Sequence, residues 1–99
     1  MEHNIHLSIQ IIPLQIADQR HPYAIIDKAI EIIDQSGLPY QVSAMETVIE
    51  GSYDNVMAVA RKAQEVCLTE GADEMVVNMK LHIRKNGNIS FHEKMEKYS

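Results

Sequence analysis

The chain has 99 residues, 45% of them hydrophobic and 23% charged, which is the amount of sequence one domain needs (1–99) and enough apolar content to fold around a core. Nine basic against fourteen acidic side chains leave a net charge of −5, which argues against a nucleic-acid partner, because phosphate binding draws on clustered Lys and Arg. No apolar run approaches the ~20 residues of a membrane helix, the opening Met1–Ser8 lacks a basic-then-apolar leader, and the lone Cys67 cannot close an internal disulfide, so no membrane partner and a cytoplasmic setting are expected.

Ile5 to Pro13 alternates at period two, with Ile5, Leu7, Ile9 and Ile11 on one face and His6, Ser8 and Gln10 on the other, which predicts a half-buried strand. Pro13 has no ladder donor and is expected to start a loop running from Leu14 to His21. Pro22 suits a first helical turn, and Ile25, Ile26, Ala29, Ile30 and Ile33 recur at three- and four-residue spacing up to Ser36-Gly37. Two short alternating runs, Tyr40 to Ala44 and Thr47 to Glu50, read as a hairpin that ends at Gly51. Ser52 is a candidate N-cap for a second helix whose stripe is Val56, Val59, Ala60, Ala63, Val66 and Cys67, stopped by Gly71. A long strand is expected over Glu74 to Arg84, with Val77, Met79, Leu81 and Ile83 towards the core and Asn78, Lys80 and His82 away from it. Lys85 to Asn88 reads as a turn, and Ser90 with Glu93 three residues on caps a short terminal helix reaching Tyr98.

The order is βαββαβ. Right-handed crossovers then give an α+β, ferredoxin-like sandwich: a four-stranded antiparallel sheet in the order 4-1-3-2, two helices on one face, and a short C-terminal helix. One helical layer leaves the other sheet face to solvent or to another chain, so function is sought there. If strands one and four pair with residue numbers summing to 88, His6 faces His82, Ser8 faces Lys80 and Gln10 faces Asn78. Val48 and Glu50 join them, because Ile49 is the better core residue. The face is polar and suited to a small polar ligand; read without a ligand, it is a wet sheet face or a subunit interface.

Catalytic and metal signatures are thin. The histidines form no H-E-x-x-H, one Cys cannot build a thiolate cage, and His6 with His82 would supply two ligands at most, so no metal and no cofactor is expected. No G-x-G-x-x-G, Walker lysine loop or G-x-S-x-G occurs. Among βαββαβ modules, the aromatic stacking residues of the RNA-binding type and the C-x-x-C of the copper-carrying type are missing, and the loop Leu14 to Arg20 lacks the glycines of an acylphosphatase cradle. Cys67, on the core stripe, reads as a structural thiol, and the six Met mostly as core and hairpin filler.

Several segments together resemble the small YkoF-like thiamine-binding family. They are His6-Leu7-Ser8-Ile9-Gln10-Ile11-Ile12-Pro13, the helix Ile25 to Ile30 with its stop Ser36-Gly37-Leu38, the hairpin Tyr40 to Gly51, and the tail Glu93 to Tyr98. The run Thr47-Val48-Ile49-Glu50-Gly51 is the most specific of them, and Glu46 stands where the family usually has Gly or Ser. The resemblance implies the same fold, assembly into homodimers or homotetramers, and binding of thiamine or its hydroxymethylpyrimidine part without catalysis. Carried over residue by residue, it implies ligand roles for Ser8, Thr47 and Glu50, and also for Gln10, Tyr40 and Ser43. An aminopyrimidine offers a donor amine beside acceptor ring nitrogens, which a carboxylate and a hydroxyl satisfy together, and a thiazolium cation favours an acidic surface. The expectation is therefore a non-enzyme that binds ligand at the open sheet face or a subunit interface. The alternatives are a small pyrimidine- or phosphoester-processing enzyme using His6, His82 and Glu50, and a purely structural or interaction module.

Overall fold

In the computed structural model, residues 2–96 are described. The elements are β1 (Ile5–Ile16), a single 3-10 turn (Ala17–Gln19), α1 (Pro22–Gln35), β2 (Tyr40–Val42), β3 (Thr47–Gly51), α2 (Tyr53–Thr69), β4 (Ala72–His82) and α3 (Phe91–Met95). Each helix begins where the local chemistry supplies a cap. His21 Nδ1 accepts from Tyr23 N–H (3.2 Å) ahead of α1, Ser52 Oγ from Asn55 N–H (3.3 Å) ahead of α2, and Ser90 Oγ from Glu93 N–H (3.0 Å) ahead of α3. Past α1 the chain turns at Gly37, whose φ of +79° is left-handed and open to glycine at little cost.

The four strands form one antiparallel sheet in the order β2-β3-β1-β4, the expected 4-1-3-2 arrangement. The β1–β4 register is the one the alternation requires: His6 pairs with His82, Ser8 with Lys80 and Gln10 with Asn78. On the other flank of β1, His6 pairs with Glu50, Leu7 with Ile49 and Ser8 with Val48. Ile5, Leu7, Ile9 and Ile49 bury against Ile25, Ala29 and Ile33 of α1 and Val56, Ala60, Ala63 and Cys67 of α2. At roughly 25 cal/mol per Å² of apolar surface, this layer supplies most of the drive to fold.

Three expectations are corrected. Pro13 does not end the first strand, which continues to Ile16. Beyond Ile9, β1 pairs with β4 alone, and the register shifts just after Pro13, so the ladder absorbs the missing donor at an irregularity. The last strand runs Ala72–His82, which leaves Ile83 and Arg84 beyond it. Met79 and Leu81 do share the helix face through their partners Ile9 and Leu7, yet each is 41% exposed, because β4 is an edge strand with no further strand beyond its outer flank among the described residues.

The sheet face opposite α1 and α2 is also not wholly bare. α3 folds back over one end of it, and Ile89, just ahead of α3, is fully buried, its N–H donating to Asn4 O at 2.9 Å. The expected helix reaches Tyr98, and that end, at Lys97 and Tyr98, lies outside the described residues.

Candidate functional site

The open face divides into a closed end and an open cleft. At the closed end His6, only 2% exposed, is bound at both ring nitrogens. Lys94 Nζ lies 2.8 Å from Nδ1, and an ammonium can only donate, so Nδ1 accepts. The ring proton then sits on Nε2, which donates to Glu50 Oε1 at 2.9 Å. That same oxygen accepts from Phe91 N–H at 2.7 Å, and the Phe91 ring lies against His6 with centroids 4.4 Å apart. Burial lowers the His6 pKa and outweighs the Glu50 hydrogen bond, so a neutral imidazole bridges an ammonium and a carboxylate. Burial likewise lowers Lys94. His6 could take up a ligand's proton only by giving up Lys94.

Beyond this network the face opens into a cleft of about 670 Å³ lined by Ser8, Gln10, Met45, Glu46, Val77, Asn78, Met79 and Lys80. The volume is in the range of small-molecule sites, about 300–1,000 Å³. A smaller hollow of about 310 Å³, reaching His6, His82 and Lys94, shares Ser8, Glu46 and Lys80 with it. Ser8 Oγ donates to Glu46 Oε2 (2.5 Å), and Lys80 Nζ stands 3.7 Å from the same oxygen. Asn78 Nδ2 donates to Gln10 Oε1 (3.2 Å), which leaves the Gln10 amide hydrogens free to donate. The floor is thus a row of donors and acceptors with Met45, 74% exposed and not core filler, at its rim; the Met79 sulfur lies on the helix side, 3.9 Å from Gln64 Nε2 of α2.

Of the six ligand residues the resemblance implied, the structure brings two together in this cleft, Ser8 and Gln10. Thr47 pairs with Ile9 and is buried on the helix side of the sheet. The Tyr40 hydroxyl donates to Asp34 of α1 at 2.8 Å. Ser43 closes the hairpin, its N–H and Oγ both donating to Glu46 O at 2.9 and 2.8 Å. Glu50 does project onto the open face, but into the closed end, tied to His6 and Phe91. The cleft residue that alternation could have supplied is Glu46, which shares a face with Val48 and Glu50 by period two; Met45, one residue off that parity, lines the cleft from the hairpin and is not found by alternation. Among the described residues no three His, Cys, Asp or Glu side chains converge on a point where a metal ion would sit.

A family model described as thiamine-binding protein matches residues 7–99. The chain belongs to the thiamine-binding protein family. It is similar to the UPF0045 protein CPE1503 of Clostridium perfringens, 37% identical over 93 residues, which span 94% of this chain and 95% of that one. Among solved structures, a domain of unknown function from Bacillus cereus superposes with a TM-score of 0.90 at 36% identity, covering 98% of this chain and 91% of that one. A candidate thiamine biosynthesis/salvage protein from Thermotoga maritima superposes with a TM-score of 0.84 at 27% identity, covering 97% and 99%. Family membership therefore extends over the cleft, the hairpin and α3 together.

Proposed function

We propose that the chain is a non-catalytic, cytoplasmic binding protein for thiamine or its hydroxymethylpyrimidine part, which sits in the open-face cleft and is enclosed further by a second copy of the chain. The observation that carries this reading is the cleft: a polar floor of Ser8, Gln10, Asn78 and Lys80 with the exposed Met45 side chain at its rim, which suits a small heterocycle with an apolar face and a hydrogen-bonding edge. The thiamine-binding family model over residues 7–99 and the Thermotoga neighbour support the ligand class. In this reading Ser8 and Gln10 touch ligand, Tyr40, Ser43 and Thr47 hold the hairpin that overhangs the cleft, and Glu50 holds α3. The absence of catalysis rests on the closed network: the imidazole and carboxylate best suited to proton transfer are spent on each other, on Lys94 and on Phe91.

Calorimetric titration with thiamine, hydroxymethylpyrimidine and thiamine diphosphate tests the reading, with the ligand recovered afterwards and weighed by mass spectrometry. The expected result is saturable binding of at least one of them, recovered intact. No heat with any of the three overturns the ligand, and a converted product replaces binding with an enzymatic role.

A further inference from the structure

Glu46 sits at the rim of the cleft with its backbone pinned and its carboxylate half engaged. The Ser43 N–H and Oγ both hold its carbonyl oxygen, and its own N–H donates to Ser43 Oγ at 3.3 Å, so the hairpin fixes where the side chain starts. The side chain, 34% exposed, reaches back over the sheet to Ser8 and Lys80. Both meet the same oxygen, Oε2, and among the described residues Oε1 has no partner. Oε1 is thus an acceptor, carrying part of a negative charge, at the edge of a cleft that the Gln10 amide, a donor, also lines. An acceptor and a donor lining one cleft suit a group that offers a donor beside an acceptor, which is the edge of an aminopyrimidine: exocyclic N–H beside ring nitrogen.

We propose, resting on the thiamine reading above, that Glu46 is the residue that reads the exocyclic amino group of the bound pyrimidine, through Oε1, while Gln10 donates to the adjacent ring nitrogen. Glu50, the carboxylate two pairs further along the same face, is the anchor of α3 and not the reader. The cleft then selects for the amino group as such. A ring carbonyl in its place would set oxygen against carboxylate, and a site that loses a hydrogen bond and gains a repulsion discriminates strongly.

The test is a two-by-two titration: parent and Glu46→Gln, each with thiamine and with oxythiamine, the analogue that carries a ring carbonyl where thiamine has the amine. The parent is expected to prefer thiamine by tenfold or more. Glu46→Gln should lose at least tenfold for thiamine and lose or reverse the preference, because its amide can donate to the carbonyl. A merely structural Glu46 would weaken both ligands alike, so a Glu46→Gln protein with native circular dichroism that keeps the parent's preference overturns the proposal. Loss of the preference in Glu50→Gln with its retention in Glu46→Gln overturns it too. A parent that binds neither compound brings down the thiamine reading itself.

Discussion

Cys67 is fully buried on the α2 stripe, its Sγ 3.9 Å from the Ile25 carbonyl oxygen, and burial pushes its thiol up to about 11. At pH 8 only about one thiol in a thousand would be ionised, and the thiolate is the reactive species. A thiol reagent should therefore modify the native protein slowly and the urea-unfolded protein at once; rapid native modification would place Cys67 elsewhere. Cys67→Ala should cost roughly 1 kcal/mol in denaturant unfolding, the loss of one buried sulfur, and leave ligand titrations unchanged. The stripe Val59-Ala63-Val66-Cys67 made this burial legible in the sequence, because helical periodicity alone puts the thiol inside.

At the level of elements, α3 is held to the sheet by a chain of contacts with a built-in pH response. The fold lowers the His6 pKa below its usual ~6.5, so below that pH the unfolded chain takes up a proton that the folded chain refuses. This contribution to stability is complete above about pH 6.5 and is lost as the pH falls through the lowered folded value. The thermal midpoint should fall between pH 7 and pH 5 by more in the parent than in His6→Gln, which has no proton to gain and whose carboxylates titrate as before. Parallel pH curves for the two proteins would remove His6 as the cause. The cap that starts α3 was readable from Ser90 and Glu93, but its docking place was not. That place depends on Glu50 meeting Phe91 N–H and on Asn4 meeting Ile89, partners far apart in sequence that no local pattern links. The same holds for Glu50 itself: period two sets its face, and only the tertiary fold decides that α3 claims its oxygen.

For the whole molecule, the surface carries more apolar area than a lone small protein gains from exposing. Ile12 and Val76 pair on the open face, and Leu81 and Ile83 flank the free edge of β4. An edge strand of this length with apolar flanks invites association with a second copy. Light scattering should return a dimer or tetramer of the 11.3 kDa chain, and Val76→Lys should shift it towards the monomer; a parent that is monomeric at micromolar concentration would refute this. Sheet order and register were legible because alternation leaves one choice of face per strand and crossover handedness leaves one order. What alternation misses is shielding: Met79 and Leu81 point the expected way and still meet solvent, since sequence pattern records direction and not how far a neighbouring helix reaches.

One of the two inner strands, β1, is also the first strand of the sheet to be synthesised. β1 finds its longest partner only in β4, with His6 waiting for His82 and Ile11 for Val77. While residues 72–82 are still unmade, the nascent chain can assemble only the β1–β3 and β2–β3 pairs and the two longer helices, with the outer side of an isoleucine-rich strand unpaired. Pairings this distant form late and slowly. The interval of greatest aggregation risk is thus set by the ribosome, and slower elongation through the β4 codons would lengthen it.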